Sequence, residues 1–194
     1  TSSCLPETTP LIKEEILTLS SREIGVRFPA AKSIEGSWEK EEIERSVDKL
    51  LADPEVDLVI TLGYLATNYV CHKEKLPKPV VAPVVGDARL QNLPLKDGAS
   101  GVKNLSYIDS FVSFERDIKV FRDMVPFNHL VVLVRRTTLE SIPWLEKKLR
   151  QTAYEYTIDV DIVPVEFSAD RALAACPSET DAVYLLPLPQ MTPR

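Results

Sequence analysis

Short apolar runs with the length of a β-strand alternate along this chain with segments of helical spacing. The runs at Asp57–Leu62, Val80–Val84 and His129–Val134 are almost continuously apolar, which is typical of strands buried on both faces of a parallel sheet. Further strand patterns occur at Glu23–Phe28, Val102–Tyr107, Val160–Val165 and Asp181–Leu186.

The segments between the strands have the spacing of amphipathic helices. In Trp38–Ala52 the apolar residues Ile43, Val47 and Leu51 lie on one stripe among charged residues. The other predicted helices are Leu11–Leu19, Leu65–His72, Phe111–Met124, Leu139–Ala153 and Ala169–Ala175, the fourth with Pro143 in its first turn. This alternation predicts an α/β fold with Rossmann-like parallel sheets.

A break at Pro126 and Phe127 divides the pattern into two lobes. We expect an N-terminal tail and helix over residues 1–20, a first α/β lobe over 21–126 and a partial second lobe over 127–194. In the first lobe, the strand Asp57–Leu62 ends at Gly63 and a helix follows directly. A strand that turns into a helix at a small residue leaves backbone N–H groups facing a crevice, where open α/β sheets bind ligands.

Composition and motifs exclude several classes of function. The formal net charge of -6 and the pI near 5.1 argue against a nucleic-acid surface, which needs clustered Lys and Arg. No run of the roughly eighteen apolar residues needed for a membrane span occurs. Neither GxGxxG nor GxxxxGK(S/T) is present, and Cys4, Cys71 and Cys176 do not have metal-ligand spacing. We therefore expect no cofactor and no metal.

The residues also give little support to catalysis. No GxSxG motif occurs, and the two histidines are His72 in a Lys-rich loop and His129 at the start of a strand. Cys71 and His72 are adjacent in sequence, so their side chains diverge on either a helix or a strand. We expect a protein that is not an enzyme.

The order of these segments resembles a known family. It is similar to uncharacterised-type ABC transporter substrate-binding proteins with a periplasmic-binding-protein type I fold. The segments that carry the likeness are Asp57–Gly63, Pro79–Val85, Gly101–Ser106, Phe114–Pro126 with His129–Val134, and Asp181–Pro187. The chain differs from that family in three ways. It has no strand before Leu11, it shows Gly86-Asp87-Ala88 in place of a T-D-P step, and it has no long continuation after Pro187.

The resemblance implies a function, a location and partners. It implies two lobes that close over a small, amino-acid-like molecule, with a hinge near Met124–Asn128. The protein would be the periplasmic or extracytoplasmic solute-binding component of an ABC-type transport system, with a permease as partner. The alternative is a sensory or protein-interaction domain of a larger chain with the same fold. Because an incomplete sheet has open edges, we also expect a homodimer.

In such proteins the ligand is held by small residues, backbone groups and aromatic residues at strand ends. The matching positions in the first lobe are Thr61, Gly63, Tyr64, Ala66, Thr67, Gly86, Asp87, Asn104 and Ser106. In the second lobe they are Arg135, Thr137 and Pro187. We expect these residues at the carboxyl ends of parallel strands.

Three of these candidates have a second interpretation. Arg135 or its neighbour Arg136 can bind a carboxylate in bidentate fashion or can be a solvated charge. Asp87 can bind a ligand amine or cap the following turn. Tyr64 can stack on a ligand or cover the edge of the sheet.

Overall fold

The computed structural model describes residues 5–20, 24–36, 39–109, 113–166 and 168–186. Its helices are α1 (Leu5–Ser20), α2 (Lys40–Ala52), α3 (Tyr64–Cys71), α4 (Phe114–Met124), α5 (Arg136–Ser141), α6 (Leu145–Glu155) and α7 (Ala169–Ala174). Its strands are β1 (Val59–Leu62), β2 (Val80–Val84), β3 (Leu105–Tyr107), β4 (His129–Arg135), β5 (Asp159–Val165) and β6 (Ala182–Leu185). The fold is α/β with parallel sheets, as the alternating pattern predicts.

The chain divides into two compact units, neither of which is continuous in sequence. Unit 1 consists of Thr1–Val84 and Leu95–Tyr107, and unit 2 consists of Val85–Pro94 and Ile108–Arg194. This division differs from the predicted boundary at residue 126, because α4 and the short segment Val85–Pro94 both pack within unit 2.

Unit 1 contains a parallel sheet in the order β1-β2-β3. Val80 at the start of β2 pairs with Val59 on one side and with Leu105 on the other, so the three strands begin at one level. Helix α2 buries Val47 and Leu51 and packs against α3. The amphipathic stripe read from the sequence therefore provides the packing face of α2.

Unit 2 contains a second parallel sheet in the order β5-β4-β6. The central strand β4 is buried from Leu130 to Arg135, which explains its unbroken apolar sequence. On one face of this sheet, a cluster is formed by Val131, Leu133, Val163, Val165 and Ala172, the last of these on α7.

Two predicted elements are wrong. Residues 24–28 form no strand, because Val26 N–H donates to the Ile24 carbonyl at 3.1 Å in a local turn. The predicted helix Leu139–Ala153 is two helices, since α5 ends at Ser141 and α6 begins at Leu145. Pro143, which has no N–H to continue a helix, lies between them.

Candidate functional site

The junction of β1 and α3 in unit 1 is built around one glycine. Gly63 has φ 103° and ψ 158°, a conformation that residues with a Cβ rarely adopt. It allows the chain to leave β1 at Leu62 and to begin α3 one residue later. The N-cap residue Gly63 provides no side-chain cap. The N–H groups of the first turn have no intrahelical partners and carry the positive end of the helix dipole.

Helix α3 has polar side chains on a buried surface. Tyr64, Thr67 and Asn68 are buried, and so is Thr61 on β1. The hydroxyl oxygens of Thr61 and Thr67 have no hydrogen-bond partner within the part of the chain that the structure describes. Burying a hydroxyl without a partner costs about 1–3 kcal/mol, and most buried polar groups in proteins are satisfied. These two hydroxyls thus have hydrogen-bonding capacity that the described residues do not use.

Asn68 is the member of this buried group that sequence reasoning missed. It lies four residues after Tyr64, so both occupy one face of α3. Its signal in the sequence is one amide side chain in a mostly apolar segment, with Leu65 and Ala66 shortly before it and Tyr69–Cys71 after it. Ala66, which the sequence does place among the candidates, is half-buried on the same helix.

The carboxyl end of β2 leads into unit 2 rather than into a site of unit 1. Asp87 is buried, and its Oδ1 accepts hydrogen bonds from the N–H groups of Arg89 and Leu90, both at 2.9 Å. Its Oδ2 accepts from the N–H of Phe114 at 2.8 Å. The carboxylate therefore caps the turn at Arg89 and Leu90 and accepts from the first residue of α4. This favours the interpretation of Asp87 as a turn cap over that as a group that binds a ligand amine. Gly86, beside it, is half-buried.

Asn104 and Ser106 do not lie at the carboxyl end of β3, where the resemblance implies. Asn104 precedes β3, and its carbonyl accepts from Val80 N–H at 2.8 Å, at the amino ends of β2 and β3. Its side-chain amide donates to the Leu76 carbonyl at 2.8 Å. Ser106 is exposed, is the middle residue of β3 and pairs with Val81, the second residue of β2. Asn104 is thus at the edge of the sheet opposite to Gly63, and the prediction of a carboxyl-end position is wrong for it.

In unit 2 the candidates follow the central strand. Arg135 ends β4 and is only 6% exposed, while Thr137 is half-buried in α5. Arg136 is exposed and forms an ion pair with the exposed Glu166 at 2.9 Å, an arrangement that contributes little to stability. Of the two arginines, Arg135 is the one held inside the unit. Pro187 lies outside the described residues.

Cys71, the last residue of α3, is a buried thiol. Burial raises the pKa of the Cys71 thiol to about 12, so it stays protonated at neutral pH and is a poor nucleophile. No group of three or more His, Cys, Asp or Glu side chains in these ranges is placed to hold a metal ion. No helix in the same ranges is long and apolar enough to cross a membrane.

Two solved structures have a fold similar to that of this chain. No family model matches the chain, and no curated protein sequence matches it. A conserved domain protein from Vibrio cholerae superposes with a TM-score of 0.54 at 16% identity, over 75% of this chain and 49% of that one. An ABC domain in complex with L-Trp from Streptococcus pneumoniae superposes with a TM-score of 0.54 at 15% identity, over 78% and 52%.

At these identities the two structures bear on the fold alone. The chain spans about half the length of each solved structure that it matches. The chain therefore has an α/β fold with parallel sheets that is similar to the fold of these two structures.

Proposed function

We propose that this chain binds a small organic molecule without transforming it, through the junction of β1 and α3 in unit 1. The observation that carries the proposal is the pair of buried, unpartnered hydroxyls of Thr61 and Thr67. They lie on either side of Gly63 in the sequence, Thr61 near the carboxyl end of the parallel strand β1 and Thr67 on α3. Open α/β sheets bind ligands at such ends.

The chemistry of this junction favours a carboxylate on the ligand. Hydroxyl groups donate hydrogen bonds to carboxylate oxygens, and the uncapped first turn of α3 offers backbone N–H groups and a positive dipole end. The pneumococcal ABC domain of similar fold binds L-Trp. We accordingly propose an amino acid or a related small organic acid as the ligand.

The proposal extends to the setting in which such a protein works. A non-catalytic α/β protein that binds an amino-acid-like molecule suits the solute-binding component of an ABC-type transport system, in a periplasmic or extracytoplasmic location with a permease as partner. The raised pKa of Cys71 supports a non-catalytic role, because it removes the thiol as a nucleophile. A homodimer through open sheet edges stays a prediction, which light scattering that detects only a monomer would contradict.

A thermal-shift screen against the amino acids and small organic acids tests this function. A ligand present at 100 times its Kd stabilises the folded state by about 2.7 kcal/mol, which raises the Tm of a protein of this size by roughly 5–10 °C. We expect such a shift with one chemical class. A cooperative melt with no shift across the whole panel would contradict the proposal and would favour the sensory or interaction domain.

The variants Thr61→Val and Thr67→Val assign the binding to the junction. Valine has nearly the shape of threonine, and it removes a hydroxyl that has no protein partner, so we expect the free energy of unfolding to be unchanged or to rise by about 1 kcal/mol. We expect ligand affinity to fall about tenfold, as one lost hydrogen bond to a charged group predicts. The control is Thr18→Val, since Thr18 is exposed on α1 and its hydroxyl donates to the Glu14 carbonyl. Unchanged affinity in both junction variants would place the ligand elsewhere.

A further inference from the structure

The amino ends of the three strands of unit 2 meet at one histidine. His129 opens the central strand β4 and lies between β5 and the turn that leads into β6. Asp161 is on β5, while Glu179 and Asp181 precede β6. The main chain is already tied here, because the N–H of Asp181 donates to the His129 carbonyl at 3.0 Å. The imidazole adds contacts from the same residue to both neighbouring strands.

Both ring nitrogens of His129 face acceptors. Nε2 lies 2.8 Å from Oδ2 of Asp161, and Nδ1 lies 3.2 Å from the backbone carbonyl oxygen of Glu179. A carbonyl oxygen only accepts, so Nδ1 must carry a proton, and an ionised carboxylate likewise accepts from Nε2. A neutral imidazole has one N–H and cannot satisfy both contacts. The geometry fits the imidazolium form, in which both nitrogens donate.

The charged groups around the ring reinforce this form. From β5 the acidic residues at this edge are Asp159 and Asp161, and from the turn before β6 they are Glu179 and Asp181. Oδ2 of Asp181 accepts from the N–H groups of Asn128 and His129, both at 3.0 Å, which holds the pKa of that carboxyl below its usual range. On α6, Arg150 donates to the Val160 carbonyl and to Glu146. Of the groups that interact with the imidazole, those of Asp161, Glu179 and Asp181 are acidic.

We propose that His129 is a proton-dependent clamp, whose charged imidazolium ties β4 to β5 and to the turn before β6. When the ring loses a proton, one of the two contacts is lost, and the amino-terminal edge of the unit 2 sheet is held less tightly. The clamp would make the stability of unit 2 respond to pH near neutrality. It regulates the fold itself and does not depend on the ligand proposed above.

The direction of the pH effect follows from the hydrogen bonds. The hydrogen bond to the Asp161 carboxylate raises the pKa of His129 above its ordinary value, burial opposes this to a lesser extent, and the Glu179 carbonyl adds a still smaller rise. The folded state thus binds the proton more tightly than the unfolded state, in which the pKa is about 6.5. The stabilisation is complete below that pH and is lost as the pH rises through the raised pKa of the folded state.

The clamp and the candidate ligand residue of unit 2 are at opposite ends of β4. His129 is the first and Arg135 the last of its seven residues, which separates them by about 20 Å in an extended strand. A change at His129 therefore tests the clamp without touching Arg135.

The test is the dependence of Tm on pH for wild type, His129→Asn and His72→Asn, with the imidazole titration of the wild type followed by NMR. We expect the wild type to lose about 2–4 °C more than His129→Asn between pH 6 and pH 9. His72→Asn is the matched control, because it removes the other histidine, an exposed residue in unit 1, and we expect it to follow the wild type.

The NMR titration needs no variant and therefore stands even if His129→Asn folds poorly. We expect a midpoint for His129 above the ordinary value of about 6.5. A midpoint at or below that value would overturn the clamp. A pH dependence of Tm that is the same in His129→Asn as in the wild type would also overturn it.

Discussion

At the scale of single residues, the backbone of Gly63 sets the geometry of the candidate site. Its φ of 103° with ψ of 158° lies in a region that is essentially reserved for glycine. A Cβ at this position strains the turn between β1 and α3 and moves the first turn of α3. We expect Gly63→Ala to lower the free energy of unfolding by about 1–3 kcal/mol and to weaken ligand binding, both measured by urea denaturation with and without ligand.

Gly25→Ala is the control for this substitution. Gly25 has no positive φ, and a Cβ built on it meets nothing within 4 Å, so the change should leave the free energy of unfolding the same or raise it by up to about 1 kcal/mol. Equal stability of the two alanine variants would contradict the role given to Gly63.

The sequence could identify polar residues at strand ends but not their partners. It placed Thr61 and Thr67 beside the strand end, and both are buried there. The sequence could not show that the Asp87 carboxylate accepts hydrogen bonds from three N–H groups, because one of the donors, Phe114, is on a helix 27 residues further along the chain. The sequence also led to a wrong position for Asn104. The strand pattern over Val102–Tyr107 is weak, so it does not show that β3 begins only at Leu105 and that Asn104 lies at the amino end of this strand.

At the scale of elements, the segment Val85–Pro94 connects the two halves of unit 1 but packs in unit 2. Trp144 Nε1 on the edge of α6 donates to the Leu90 carbonyl at 3.1 Å, and Lys148 on α6 donates to the Arg89 carbonyl at 2.7 Å. Asp87 supplies the third tie, to the first residue of α4. The segment is thus held by hydrogen bonds between side chains and backbone groups, and its own sequence does not predict these bonds.

Asp87→Asn tests whether these ties support unit 2. An amide has one oxygen and one NH₂ group, so either the Phe114 N–H or the pair from Arg89 and Leu90 loses its acceptor. Leaving a buried N–H unpaired costs about 1–3 kcal/mol, and we expect a loss of that size in urea denaturation.

The matched control is Asp97→Asn, since Asp97 is exposed and its φ of 52° is one that asparagine tolerates. We expect a change within about 0.5 kcal/mol for it. A loss of similar size in the control, or no loss for Asp87→Asn, would contradict the capping role.

Periodicity predicted the buried strands well and the partly exposed elements poorly. β4, which is buried from Leu130 to Arg135, has nearly the predicted bounds, because a strand covered on both faces needs a continuous apolar run. The alternation at Ile24–Phe28 looks like a half-buried strand, yet Ile24 is 66% exposed and no ladder forms there. Alternation alone does not provide a neighbouring strand to pair with.

At the scale of the whole molecule, the α/β class follows from the alternation of elements, but the division into units does not. Two of the boundaries between the units follow Val84 and Pro94, only ten residues apart in the sequence. Only contacts between distant segments decide to which unit a loop belongs. The predicted hinge at Met124–Asn128 therefore does not coincide with a break, since all of those residues are in unit 2.

The central claim is that a small organic molecule with a carboxylate binds where β1 turns into α3. The most direct measurement is an amide-resolved NMR titration of the wild-type chain with L-tryptophan, followed by the best compound of the thermal-shift panel. The account predicts saturable shifts for the backbone amides of Gly63, Tyr64, Leu65 and Ala66, since these groups form the uncapped first turn of the helix. Saturable shifts confined to other residues, or no shift at millimolar concentration of any compound, would contradict it.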